Sequence, residues 1–161
     1  MNKKKILPSA LIATAVLLWT AVAPAAPAAP QFGTADEARA MLERAVAALK
    51  DNQATALKAF NDEKNKQFRD RDLYIYCFNA GDGKFTAYQS AMLLGVNVRE
   101  LKLPPSDPVG QRAYDAIHDA PEGDFVTLEY QMPKPGTKQP ATKQFLETRI
   151  GNQGCGVTYF K

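Results

Sequence analysis

Apolar and polar positions repeat along this chain with different periods in different places, and the changes of period outline its elements. Ala38, Met41, Leu42, Ala45, Val46 and Leu49 recur at spacings of three and four, the repeat of one helix face. Thr34 and Glu37 stand three apart at the start of this run. They form a capping box, in which the threonine hydroxyl accepts from the Glu37 amide and the Glu37 carboxylate accepts from the Thr34 amide. Asp36 and Glu37 also sit at the positive end of the helix dipole. The pattern weakens at Asp51, Asn52 and Gln53 and resumes with Ala56, Leu57 and Phe60. A long amphipathic helix is therefore expected, packed along its apolar stripe. The charge-rich segment from Asn61 to Arg71 reads as a solvated connection.

The period then shortens to two. Asp72 to Asn79 is aromatic and β-branched and apolar on both faces from Leu73 to Phe78, which predicts a strand covered on both sides. A Gly81-Asp82-Gly83 turn and the run Lys84 to Tyr88 complete a hairpin. Val98 to Leu101 reads as a short turn, residues 104–108 as a proline-rich break, and Val109 to Ala120 as a short helix with Tyr114 and Ile117 on one side. Phe125 to Tyr130, Lys143 to Ile150 and Gly156 to Phe160 are three further strands, the first two joined by the loop Met132 to Pro140. The order is long helix, two strands, helices, three strands: an α+β chain built on a five-stranded antiparallel sheet, not a parallel βαβ succession.

Composition adds a compartment. The chain has 161 residues, 45% hydrophobic and 23% charged, with a net charge of +3, as expected for one globular domain. The first thirty residues hold Lys3, Lys4 and Lys5 and no acid, so the remainder balances at 17 against 17. No cationic surplus is left to neutralise phosphates, which argues against a nucleic-acid-binding domain. The three lysines, an apolar run from Leu11 to Val22 and a small-residue stretch from Ala21 to Pro30 have the form of a secretory leader. The apolar stretch Ile6 to Val22 is 17 residues and contains Pro8, short for a span of about 20. Small residues at −3 and −1 place cleavage after Ala25 or Ala28. The expected division is a cleaved leader over 1–28, a linker over 29–33 and one domain over 34–161, in the periplasm or secreted. Cys77 and Cys155 are the only cysteines. In an oxidising compartment an even pair suggests one disulfide, closing a loop of about 78 residues; two buried free thiols are the alternative, since spacing supplies no geometry.

Catalytic signatures are scarce. His118 is the single histidine, near Asp115 and Asp119, and an exposed helix histidine is the simpler reading of it. One histidine and two distant cysteines do not make a conventional zinc site, and no nucleophile elbow, Walker loop or dinucleotide fingerprint is present. What remains is a set of aromatic and polar residues on the expected strands: Tyr74, Tyr76, Tyr88, Tyr130, Phe145 and Lys143. Tyrosines and one lysine on a concave sheet can hold a small anion, with phenols donating and the ammonium supplying charge. Equally, the tyrosines can be core residues with their hydroxyls at the rim and the lysine in solvent.

A series of segments in fixed order resembles the single Cache domain of bacterial extracytoplasmic sensors. It comprises Arg71 to Tyr76, the glycine-bounded hairpin, Leu94 to Lys102, Gly110 to Ala116, Val126 with Tyr130 and Pro133, Lys143, and Gly154 to Tyr159. The resemblance covers Thr34 to Lys161. It implies a long N-terminal helix packed on one face of a PAS-like five-stranded antiparallel sheet, with a small-ligand pocket on the other face. It implies no enzymatic activity and no cofactor. The family's tyrosine and lysine of the last third map onto Tyr130 and Lys143. Where the family's second strand usually continues into Ala-His, this chain has Ala87, Tyr88 and Gln89, and the family's aromatic two residues after the strand tyrosine is Met132 here. Tyr76, Tyr88, Gln89, Tyr130, Met132 and Lys143 are thus the expected pocket residues, for a small carboxylate or related metabolite. In the PAS-like order the first and last strands are neighbours, which brings Cys77 and Cys155 together. Cache domains usually precede a transmembrane helix and a signalling module, whereas this chain ends at Lys161 after its last strand. The expected partner is therefore a membrane receptor or histidine kinase, with a homodimer through the N-terminal helix as a further expectation. Two competing readings are a ligand-free module docking on a sensor kinase or transporter, and an exported enzyme on an NTF2-like scaffold that uses His118.

Intact-mass analysis of the exported protein is expected to give a chain beginning at Ala26 or Ala29; a chain retaining Met1 would overturn the leader reading.

Overall fold

The computed structural model describes residues 31–103 and 106–161. The expected leader, the start of the linker and Pro104 and Pro105 of the expected break lie outside the described residues.

Helix α1 runs Ala35–Asn61 and opens with the expected capping box: Glu37 N donates to Thr34 Oγ1 at 3.2 Å and Thr34 N to Glu37 Oε2 at 2.7 Å. The helix breaks where its pattern weakens. Asn52 leaves helical geometry at φ −155° and ψ 103°, and its Oδ1 accepts from Thr55 N at 2.9 Å, capping the second half. Its start is tied to a tight turn further along the chain. Arg71 pairs with Glu37 at 2.6 Å and donates to Phe32 O at 3.0 Å, and Gly33 N donates to Asp72 Oδ1 at 2.7 Å.

Seven strands follow: β1 Arg69–Asp70, β2 Leu73–Tyr74, β3 Tyr76–Asn79, β4 Phe85–Ala87, β5 Val126–Pro133, β6 Pro140–Ile150 and β7 Gln153–Phe160. Two 3-10 turns, Ala91–Leu93 and Val98–Glu100, and helix α2, Val109–Asp119, lie between β4 and β5. The main sheet has the order β4-β3-β7-β6-β5 with every neighbour antiparallel. The chain is α+β, with the helix-plus-five-strand arrangement expected from the sequence.

Three local features differ from expectation. The first strand is interrupted at Ile75, because Leu73 and Tyr74 turn aside to pair with Asp70 and Arg69 around Arg71, which sits at φ 54°. The connection before it is not wholly solvated: Phe68 is buried and meets the Phe60 ring edge-on at 4.7 Å. Finally, β5 and β6 pair as far as Pro133 and Pro140, and β7 begins at Gln153, so the loops are shorter than the turn residues alone indicate.

Strand alternation sorts the core into two layers. Cys77, Leu146, Cys155 and Val157 face α1 and pack with Met41, Leu42, Ala45 and Leu49. Tyr76, Phe78, Tyr130 and Phe145 face the other way and pack with Val98, Val109 and Ile117. Cys77 and Cys155 stand opposite one another on β3 and β7, with Cα atoms 4.1 Å apart, and are joined by a disulfide under α1. Among the described residues, no helix is long and apolar enough to cross a membrane.

The bridge closes a loop with a sequence separation of 78, for which chain entropy predicts a contribution of about 4–5 kcal/mol. Replacing both cysteines with alanine is expected to lower Tm by about 10 °C or more in a thermal melt; an unchanged Tm would remove the bridge from the account of stability.

Candidate ligand-binding cavity

A cavity of about 310 Å³ lies between the sheet face opposite α1 and a cover made by the second 3-10 turn and α2. Its floor is a lattice of side chains fixed by register. Lys143 of β6 stands between Tyr130 of β5 and Phe160 of β7. In the next row Phe145 stands between Leu128 and Thr158, and in the next Glu147 stands between Val126 and Gly156, with Tyr76 beyond. Small residues make room. A Cβ on Gly156 would meet the Tyr76 hydroxyl and Glu147, and one on Gly154 would meet Phe78 and Ile117 of α2. In the cover, a Cβ on Gly110 would meet the Val98 carbonyl, so glycine lets the first turn of α2 lie directly on the 3-10 turn.

All six residues singled out from the sequence line this cavity: Tyr76, Tyr88, Gln89, Tyr130, Met132 and Lys143. They contribute differently. Lys143 is 8% exposed. Its Nζ lies 4.7 Å from the centre of the Phe160 ring and forms no ion pair among the described residues. Burial pushes its ammonium below the ordinary 10.5, and the charge of Asp72 opposes that shift. Tyr130 is buried and tilts against Phe145 at 4.8 Å. Tyr88 follows β4; its N–H donates to Asn61 Oδ1 at 3.2 Å and its hydroxyl accepts from that of Tyr74 at 3.4 Å. Gln89 is exposed at the rim, its carbonyl held by Arg69, and Met132 is half-buried.

Tyr76 offers the cavity a ring and not a hydroxyl, because its hydroxyl donates to Glu147 Oε1 at 2.5 Å across the gap left by Gly156. Glu147 is 0% exposed, and its Oε2 has no partner among the described residues. Burial pushes the carboxyl up to about 8, against the pull of the Tyr76 hydrogen bond. Near neutrality Glu147 is therefore held protonated, because charging it would leave an anion in an apolar layer with no cation beside it.

Sequence reasoning left out three kinds of lining residue. Tyr74 was among the strand tyrosines but not among the six; its spacing of two from Tyr76 puts it on the same face. Thr158 lies in the floor, close enough to Tyr74 and Tyr130 to favour their ionised forms, while burial and neighbouring phenols push both groups up. Its Oγ1 is buried and makes no well-formed hydrogen bond among the described residues. The signal for it was alternation along Gly154, Gly156, Thr158 and Phe160. The apolar cover from Val98, Leu101, Val109 and Ala113 left no signal, because it depends on how α2 docks. His118 is outside the cavity. Its side chain is 65% exposed, with Nδ1 3.3 Å from Asp119 and the ring stacked on Tyr114, so the acid–base pair required by the enzyme reading is on an open helix face. No group of three or more metal-ligating side chains occurs among the described residues.

No protein-family profile matches the sequence, and no curated protein matches it. Solved structures do. A methyl-accepting chemotaxis protein from Vibrio parahaemolyticus superposes with a TM-score of 0.58 at 19% identity, over 78% of this chain and 86% of that one. A periplasmic sensor domain of a chemotaxis protein matches with a TM-score of 0.53 at 16% identity, over 78% and 88%. A Cache chemosensory domain, described for its recognition of carboxylic acid, matches with a TM-score of 0.51 at 15% identity, over 74% and 83%. This chain shares its fold with these solved sensor domains.

The state of Glu147 sets a pH dependence. Between its ordinary value of 4.5 and about 8 the unfolded chain has lost this proton and the folded chain keeps it, so stability falls as pH rises through that window. Glu147→Gln is expected to flatten the fall and to leave the protein more stable than wild type at pH 8, by on the order of a few kcal/mol. Tm measured from pH 5 to 8 in both proteins checks this; parallel curves would show that Glu147 does not carry the proton.

Proposed function

We propose that this chain is an extracytoplasmic sensor module that binds a small carboxylate in the cavity between the sheet and α2 and reports it to a membrane partner. One observation carries the reading: Lys143 is buried, forms no ion pair among the described residues and has only the charge of Asp72, beyond ion-pair distance, to offset its desolvation, in a cavity whose other polar groups are mainly phenols. A buried charge without a partner is costly, and an anionic ligand relieves that cost. The ammonium pairs the carboxylate, while the phenols of Tyr130, Tyr88 and Tyr74 supply hydrogen bonds to its oxygens. The disulfide supports an oxidising compartment. The shared fold supports a sensor role by analogy, and one structure with that fold is described for carboxylic acid recognition. A ligand-free docking module predicts a filled core, whereas this core holds an open cavity of about 310 Å³.

Isothermal titration with acetate, pyruvate, succinate and longer organic acids is expected to show binding by wild type and at least a tenfold loss in Lys143→Ala. Lys143→Arg is expected to retain part of it, since the charge remains. If no acid binds, or if Lys143→Ala binds as wild type does, the reading fails.

A further inference from the structure

Resting on that reading, we propose that the ligand is a monocarboxylate with an apolar tail of several carbons, and that the residues covering the cavity select for that tail. The charge inventory comes first. Of the nineteen described residues that line the cavity, Lys143 alone is basic and Asp72 alone is acidic. A second carboxylate would find no second cation. An α-ammonium would need direct contact with a carboxylate oxygen, and those of Asp72 are set back: Oδ1 accepts from the Gly33 amide at 2.7 Å and Oδ2 is buried. One charged end is therefore all the cavity accommodates.

The remaining wall explains what the rest of the ligand must be. Polar lining groups come from the sheet side, around Lys143, Tyr74, Tyr130 and Thr158. Opposite them, Val98, Leu101, Leu103, Val109 and Ala113 form an apolar cover, of which Val98, Val109 and Ala113 are at most 2% exposed. Phe145 lies beside Lys143 on the floor and Tyr76 adds only its ring, its hydroxyl being held by Glu147. A bare carboxylate such as acetate would satisfy Lys143 and leave this cover facing empty space or water, with no polar partner for that water. An alkyl or aryl tail fills it, and each methylene moved from water into such a site is worth about a fourfold gain in affinity.

The test is titration of wild-type protein with acetate, butanoate, hexanoate and octanoate, with succinate and norleucine as the doubly charged competitors. Affinity is expected to rise about fourfold per methylene to an optimum beyond butanoate, with hexanoate at least tenfold tighter than succinate or norleucine. Two variants then move the optimum: Ala113→Met towards shorter acids by filling the cover, and Val109→Ala towards longer ones by opening it. Should Ala113→Met fail to fold, Val109→Ala keeps the comparison. Acetate or succinate binding as tightly as hexanoate, norleucine binding as well as hexanoate, or an optimum unmoved in the folded variants would overturn the tail selection while leaving a carboxylate sensor intact. Absence of binding by every acid would instead remove the carboxylate reading itself.

Discussion

Every residue of β7 from Gln153 to Phe160 is buried, because α1 covers one face of the sheet and α2 with the 3-10 turn covers the other. A strand in that position must satisfy two packing problems with one alternating sequence. Towards α1 it presents Cys155, Val157 and Tyr159, and the cysteine is joined to Cys77 on the neighbouring strand. Towards α2 it presents Gly154, Gly156, Thr158 and Phe160. The glycines admit Phe78, Ile117, Tyr76 and Glu147 into space that any side chain would occupy. The cavity exists beyond them, where the strand turns from small residues to Thr158 and Phe160 and the cover stands off from the sheet. Its location thus follows from one strand's alternation more than from any loop.

Charge follows the same geometry. Over residues 31–161 the chain balances its acids and bases, and its described ion pairs are on the surface or around the Arg71 turn. Two ionisable groups break that order within one strand, four residues apart and on one face. Glu147 is buried deep enough to stay neutral and holds a tyrosine ring in place. Lys143 stands beside an aromatic face and the cavity, where burial pushes its ammonium down, the charge of Asp72 opposes that shift, and no ion pair forms among the described residues. Buried carboxyl and buried ammonium respond to the same desolvation in opposite directions: it pushes the Glu147 carboxyl up, towards the neutral acid, and the Lys143 ammonium down.

Periodicity made much of this legible. The capping box, the helical stripe and its weakness at Asp51 to Gln53, the aromatic first strand and the meander of the last third are local patterns, and each appears where its period places it. The six cavity residues were accessible through tyrosine and lysine placement together with the resemblance to Cache domains. The Ile75 interruption was not, because it depends on Arg71 adopting a left-handed conformation to let β2 pair with β1. Phe68 looked like part of a solvated run because a single aromatic among charges has no period; only Phe60 across the turn gives it a partner.

The amino-acid sequence by itself determined the elements, their order, the antiparallel α+β class and the near-neutral charge of the domain, because each depends on neighbours within a few residues or on a simple count. The tertiary structure decided which faces look at one another. It set Cys77 opposite Cys155, turned the Tyr76 hydroxyl onto Glu147 and away from the cavity, left Lys143 without an ion pair among the described residues and laid an apolar helix face over the cavity it lines. Those outcomes depend on contacts between residues tens of positions apart, whose distance and burial no local pattern encodes; the chemistry of the cavity, one cation facing an apolar cover, comes from them.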